Sequence, residues 1–363
     1  MSGSDSVALP RDPTRGRRRK KVARQGPAQP APEERAATRP DLEQGLRSGW
    51  RVIAAKEFAD HVLSVRFLVL TAVLGLAAAA AVYATAGEIR ELASQASGSA
   101  ALFLKLFTIS SEQIPDFTTF IAFLGPLLGI AFGFDGINGE RAEGTLPRLV
   151  SQPIYRDDVI NGKFVAGLAA ITIIFLAITA LVSVVGIVQL GILPTVDELL
   201  RLALWIVLAV AYVGLWLALA LLCSVVMRRA ATSALVAIGV WLLFTLFATL
   251  LVGIFAGILA PVPADAGTGS PQAVRNIALQ QQLARLSPSQ LFTESTAAVL
   301  DPSVRTLSPG LITPEQADRA IPSILSLYQS VLVVWPQFVA LIAATAVMFA
   351  VAYVAFMRQE VRA

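Results

Sequence analysis

An all-α membrane protein with six transmembrane helices is the fold that these 363 residues predict. Three observations carry it. First, the chain is 55% hydrophobic and 15% charged, with a mean hydropathy of +0.67, whereas soluble chains run near a quarter charged. Second, six apolar runs, 67–86, 117–134, 164–190, 202–227, 233–260 and 331–357, contain no Asp, Glu, Lys, Arg or His. Each is close to the ~20 residues that cross ~30 Å of hydrocarbon. Third, the cations are lopsided. Lys and Arg number 14 in residues 1–66, 4 in 135–163, 2 at Arg228 and Arg229 and 2 after the last run, against 7 everywhere else. Positive charge stays on the inner side of a membrane, so both termini are expected in the cytoplasm of a multi-pass protein of the cell membrane.

Residues 1–45 are rich in Pro, Gly, Arg and Ala and nearly free of large apolar side chains. Such a segment buries too little to offset its ordering entropy, which predicts a disordered basic tail. No apolar segment follows Arg17-Arg18-Arg19-Lys20-Lys21 closely enough for a secretory or twin-arginine signal. Anionic lipid attracts such a tail by ~1 kcal/mol per charge near the surface. From Arg47 to Arg66, Trp50, Ile53 and Ala54 share a helical stripe that Glu57 interrupts, and His61 reads as an interfacial polar residue. The pattern predicts a helix lying in the cytoplasmic interface before the first span.

Two outer segments, 87–116 and 261–330, separate the runs. Trp205 and Trp335 are expected to open the fourth and sixth spans in an aromatic belt. Within 261–330, Ser270-Pro271, Ser287-Pro288 and Thr313-Pro314 each place an N-cap oxygen before a first-turn Pro. Ser287 with Gln290, and Thr313 with Gln316, have capping-box spacing. Helices are therefore expected near 271–286 and 288–300, with a third from 314 through Pro322 into the last span. A segment of this length is either functional or a lid over the outer ends of the spans. Residues 358–363 form a short cytoplasmic tail.

Much chemistry is excluded. One cysteine, Cys223, and one histidine, His61, rule out a disulfide framework and a His/Cys metal cluster, and four scattered Met argue against a copper path. Gly162-Lys163 has neither the upstream Gly nor the following Ser or Thr of a phosphate-binding loop. No Ser/His/Asp or Cys/His set exists, and the apolar runs lack the carboxylates that ion-coupled carriers use. No catalytic, cofactor-binding or metal-ligating residue is expected, and no nucleic-acid partner. If the chain transports, its energy comes from another subunit. A rival reading is a membrane enzyme acting on lipid or polyprenyl substrates beneath 261–330. Its candidate groups are Glu294, Asp301, Asp318 and Arg319.

Between the second and third runs lies a charged, turn-rich island, Asp135–Lys163. Glu140 and Glu143 precede Thr145, which is placed to cap a short helix 146–151 with Pro147 in its first turn. Gln152-Pro153 stops that helix, and Asp157-Asp158 start the next near Lys163. The result is a short helix across the membrane surface, a lever between two spans. Gly125, Gly129 and Gly133 recur every four residues in the second run and make a helix-packing stripe, with Pro126 as a kink. The stripe faces either its own chain or a second copy.

Glu140-Arg141-Ala142-Glu143-Gly144-Thr145-Leu146, followed by Leu149, Pro153, Arg156 and Gly162-Lys163, resembles the signature of ABC transporter permeases of the type 2 class. Asp135 just upstream, and Ser287-Pro288-Ser289-Gln290-Leu291-Phe292 before the last run, resemble the subgroup of exporters and multicopper-enzyme-maturation permeases. The likeness covers residues 47–357. It implies six spans, an interfacial helix and a coupling helix between the second and third spans, with Glu140, Arg141, Glu143, Gly144, Thr145, Leu146, Leu149, Pro153, Arg156, Gly162 and Lys163 coupling to an ATPase. It further implies a separate ATP-binding subunit in two copies and a second permease copy or relative. Tyr155 stands where the family commonly has a small hydroxyl residue, which leaves the cap of the next helix open. The reading that results is the permease of an ATP-driven exporter. A non-transporting scaffold for copper-enzyme maturation is a further alternative.

Overall fold

Every apolar run becomes the centre of a helix, and most of these helices continue past it. The structure is a computed structural model and describes residues 49–95, 101–111, 114–145, 155–191, 193–263, 267, 269–303 and 325–359. They all lie in one compact unit, residues 44–363. The tail 1–45, the expected helix 146–151, and Thr313, Gln316 and the helix expected from 314 lie outside the described residues.

The element order is α1 (Gly49–Val62), α2 (Val65–Gln95), α3 (Lys105–Thr108), α4 (Phe117–Gly133), α5 (Asn138–Ala142), α6 (Arg156–Leu190) and α7 (Val196–Val226). Then come α8 (Ala230–Leu242), a π turn at Leu243–Phe247, α9 (Ala248–Leu259), α10 (Pro271–Ala284), α11 (Pro288–Leu300) and α12 (Leu327–Arg358). Six segments are long and apolar enough to cross a membrane: Val65–Glu91, Phe117–Ala142, Arg156–Gln189, Val196–Val226, Ala230–Leu259 and Leu327–Arg358.

The extensions have local causes. Thr195 and Glu198 satisfy each other's backbone N–H at the start of α7, and Ser326 and Gln329 do so for α12. Asp116 caps α4 by accepting from Thr119 N at 2.9 Å. Thus the third and fourth spans do carry charge near their starts, at Asp157, Asp158, Lys163, Asp197, Glu198 and Arg201. The apolar runs alone did not show this.

α7 is the axis of the bundle, with α4, α6, α8, α11 and α12 packed around it. The glycine stripe is the closest seam. A Cβ on Gly129 would lie 2.5 Å from the Val213 carbonyl oxygen, and one on Gly133 would lie 2.7 Å from Ala220 Cβ. One on Gly125 would meet Val213 at 3.0 Å. The stripe faces its own chain, against α7. Small residues let two backbones approach, and that contact holds membrane helices together where lipid is as apolar as leucine.

The two tryptophans of the expected belt differ. Trp335 is 56% exposed, but Trp205 is fully buried among Phe107, Phe117 and Phe175. Its indole N–H donates to Thr296 Oγ1 at 3.2 Å, so this ring is a core residue with a satisfied polar handle.

α10 and α11 do not lie over the ends of the spans. Asn276 on α10 donates to the carbonyls of Ala256 and Ala260 at the end of α9. The hairpin then turns at Ser287, whose hydroxyl donates at 3.2 Å to the Phe244 carbonyl, midway along the fifth span. α11 climbs back along α7: Phe292 stacks on Tyr212 at 4.6 Å, Thr296 meets Trp205, and the Val299 carbonyl accepts from Arg201. Tyr212 is the middle of α7, so the hairpin is re-entrant and its tip reaches mid-span. Ser270 caps α10 as expected, accepting from Ala273 N at 3.2 Å. Ser287 does not form the expected capping box. Its hydroxyl is spent on the π turn, and Gln290 turns to Glu294 at 3.1 Å.

Candidate site at the charged island

The short α5 begins where the second span ends, and its start is capped from elsewhere. Ser224 Oγ, fully buried on α7, accepts from Ile137 N at 2.9 Å and Asn138 N at 3.1 Å. Two of the orphan N–H groups of a helix start are thereby satisfied by a side chain 86 residues away. At the other end, the Thr145 N–H and hydroxyl both donate to the Glu140 carbonyl. Gly144 takes φ +69, the left-handed conformation that closes a helix and that glycine adopts without penalty. Glu140 and Arg141 therefore sit on a helical turn of their own, ahead of the helix expected at 146–151. Glu143, Gly144 and Thr145 are exposed beyond it. Leu146, Leu149 and Pro153 lie outside the described residues.

Lys163, on the second turn of α6, is the centre of the site. Its Nζ is 2.7 Å from Glu140 Oε1 and 2.9 Å from Glu57 Oε2, and its side chain is 6% exposed. A cation so buried needs counter-charges, and here it draws them from two other segments. Gly162 makes the approach possible: a Cβ there would sit 2.9 Å from Ile53 Cβ and 3.0 Å from the Trp50 carbonyl. α1 thus lies directly on α6. Its inward face is Ile53 and Glu57, so the residue that seemed to break the amphipathic stripe is the one the site uses. Burial pushes the Glu57 carboxyl up, but Lys163 and then Lys56 outweigh it and hold the pKa below the usual carboxylate value. His61 packs its ring 4.9 Å from Phe132, and burial lowers its pKa below 6.5, leaving it neutral at pH 7.

A second ion pair stands beside the first. Arg66, at the start of α2, meets Asp135 at 2.6 Å and covers the Phe134 ring at 5.0 Å. Both pairs line a cavity of about 470 Å³ between α1, the start of α2 and α5. A third set joins the island to the end of the last span. Arg141 donates to the Gln359 side chain, and Arg156 to the Gln359 carbonyl at 2.9 Å. Gln359 in turn donates to the Val225 carbonyl at 2.6 Å. Arg156 also lies over Phe356 at 5.8 Å. The cap left open at Tyr155 is supplied in part by Asp158, whose carboxylate accepts from Tyr155 N at 3.3 Å.

Of the residues quoted in the signature, the structure brings together Glu140, Lys163 and Gly162 on one side, and Arg141 and Arg156 on the other. Glu57, Arg66, Ser224 and Gln359 complete the two sets, and sequence reasoning missed them. Glu57 alone left a signal, as a charge inside an apolar stripe. Of the groups of the rival enzyme reading, the two that are described have separate partners. Glu294 is held by Arg285, Gln290 and Gln337, and Asp301 by Lys105 at 3.0 Å, while Asp318 and Arg319 lie outside the described residues.

Comparison with known proteins bears on the chain as a whole. Over 149 residues the chain is 30% identical to the Probable ABC transporter permease protein NosY of Stutzerimonas stutzeri, a match covering 39% of this chain and 51% of that protein. It therefore spans about half the length of that relative. Residues 51–361, from the interfacial helix through the last span, match the family described as ABC-2 family transporter protein. With that match over most of its length and six helices able to span a membrane, the chain belongs to the ABC-2 family of transporter proteins, as a membrane subunit.

Proposed function

We propose that this chain is the permease of an ATP-driven exporter and that residues 140–156 receive the stroke of a separate ATP-binding subunit on the cytoplasmic side. The single observation that carries the reading is the Lys163 bridge. One buried ammonium joins Glu140 on α5, Glu57 on α1 and the third span itself. A force applied at Glu143–Thr145 cannot stay local. It moves α5, which continues the second span, and through Lys163 it moves α6 and the interfacial helix. Packed, charge-locked elements shift as units rather than bending, which is how a small displacement becomes a large one. The Arg141–Gln359–Arg156 set extends the same linkage to the sixth span. Two ATPase subunits and a second permease copy complete the transporter, and both termini of the permease face the cytoplasm.

The test is uncoupling. Lys163→Met keeps the stem of the side chain and removes the bridge, while Glu140→Ala removes one arm and Leu146→Ala alters the expected coupling helix. In reconstituted vesicles the variants should bind the ATPase, hydrolyse ATP and lose at least about tenfold in transport per ATP, the scale of a lost buried ionic contact. Unchanged transport per ATP in all three would sink the coupling role. Failure of any ATPase to co-purify with the wild type would sink the transporter reading itself.

A further inference from the structure

Two acceptors stand near the same pair of backbone N–H groups at the start of α5. Ser224 Oγ on the fourth span holds both, Ile137 N at 2.9 Å and Asn138 N at 3.1 Å. The local alternative is Asp135. It lies two and three residues upstream of them, the spacing at which an N-cap side chain accepts from its helix, and Asp is among the strongest caps. Its backbone is already in place, since the Asp135 carbonyl accepts from Gly139 N at 2.9 Å. Its carboxylate is turned away to Arg66 at 2.6 Å. The arginine side chain of that pair is 51% exposed, and so open a pair adds little stability. A strong cap is thus kept off its own helix by a weak contact, while a residue of another span does its work.

The seated position also carries a defect. Asn138 is 1% exposed, and neither polar atom of its carboxamide has a hydrogen-bond partner among the described residues. An amide buried without a partner is less stable than one left in water. Opposing this, Ile137 is fully buried in one apolar cluster with Val159, Ile160 and Val225. At Gly136 a Cβ would come 3.0 Å from Leu221, so the turn lies tightly on the fourth span. Burial of Ile137 together with two hydrogen bonds outweighs one idle amide, which makes the seated position the dominant one.

We propose that α5 has a second, less populated position, released from the fourth span, in which Asp135 leaves Arg66 and takes over the N–H groups of Ile137 and Asn138. The Asn138 carboxamide reaches water there. Ser224 and Asp135 are alternate positioning residues, exchanged rather than lost when the helix moves. Because the helix start is satisfied in both positions, α5 shifts as a unit instead of unravelling. That an ATPase drives the exchange rests on the coupling reading above; the two positions themselves do not.

Amide hydrogen exchange at Ile137 and Asn138, measured on the full-length protein in lipid nanodiscs, tests the proposal. In Ser224→Ala the two amides pass to Asp135, so their exchange should rise only about threefold. Asp135→Ala alone should change it by less than about twofold, because Ser224 still holds both and only a half-exposed pair is lost. The two substitutions together should exceed the product of the single effects by at least about fivefold, as expected of acceptors that replace each other. Adding Arg66→Met to Ser224→Ala frees Asp135 and should return the rate toward that of the wild type. Asn138→Leu keeps the size of the side chain without the idle amide, and should slow exchange and raise the thermal midpoint. Single effects that merely multiply overturn the exchange of acceptors. If the double alanine variant does not accumulate, the Arg66→Met arm decides, and a rate no slower than in Ser224→Ala overturns the proposal. A lower midpoint for Asn138→Leu shows that the amide is satisfied in the seated position and overturns its part in the release. No ATPase enters the measurement, so loss of the coupling reading and loss of this one are separate outcomes.

Discussion

The fourth and fifth spans are adjacent in sequence and similar in apolar character, yet the fold treats them oppositely. In the most apolar stretch of the fourth span 67% of residues are buried, against 11% in the fifth. The fourth meets the glycine stripe of the second span at backbone distance and buries Trp205, Tyr212 and Trp216. Arg201 clamps it further, bonding to Asp197, the Val299 and Leu325 carbonyls and Ser330. The fifth exposes Leu243, Leu246, Leu250, Ile254, Phe255 and Ile258, and its helical ladder is interrupted by a π turn. In lipid an exposed leucine carries no penalty. The difference is therefore not one of hydrophobic burial. It separates a span held by close backbone contact from one that leaves most of its surface outside the bundle and carries a π turn, a feature that concentrates at functional places.

Three substitutions probe this contrast, in falling order of effect. Gly129→Leu should be the most damaging, because its Cβ would press on the Val213 carbonyl, and a backbone atom cannot be displaced cheaply. We expect a loss of more than about 3 kcal/mol, seen as failure to accumulate or as a collapse of thermal stability in detergent. A Gly129→Leu protein as stable as wild type would mean that the seam is looser than its geometry. Ser287→Ala removes the hydroxyl that ties the hairpin tip to the π turn and should cost about 1 kcal/mol. Faster hydrogen exchange confined to α8, α9 and the hairpin would mark the loss as local; a spread into α7 would contradict the division drawn here. Leu250→Ala should change the stability of the isolated chain by less than about 0.5 kcal/mol. Should the same variant weaken association between two permease copies, the fifth span is the face on which they meet, and the contrast with the fourth is sharpened.

The island shows how far sequence could go. Its charges, its turn residues and its place between two spans are all local, and local patterns are readable. Glu140 and Lys163 could each be singled out, but not their bond, since 23 residues and a chain reversal lie between them. Glu57 interrupts the apolar stripe of its own helix, and the reason, Lys163, is more than 100 residues away. Trp205 was placed by a statistical habit of tryptophan near span ends, which Thr296 and three phenylalanines override. Ser287 has the spacing of a cap, but the Phe244 carbonyl in the π turn takes the hydroxyl instead of its own helix.

The sequence by itself determined the six spans, the helix that precedes the first of them and the charged island. These follow from transfer free energy and local capping, which add up along the chain and need no knowledge of neighbours. Only the tertiary structure decided that the glycine stripe closes on the fourth span, that Lys163 binds Glu57 and Glu140, and that the hairpin descends to mid-bilayer. Each of those is a meeting of groups remote in sequence. A bilayer rewards any apolar helix for inserting, but which polar groups then find one another depends on where backbones can come close.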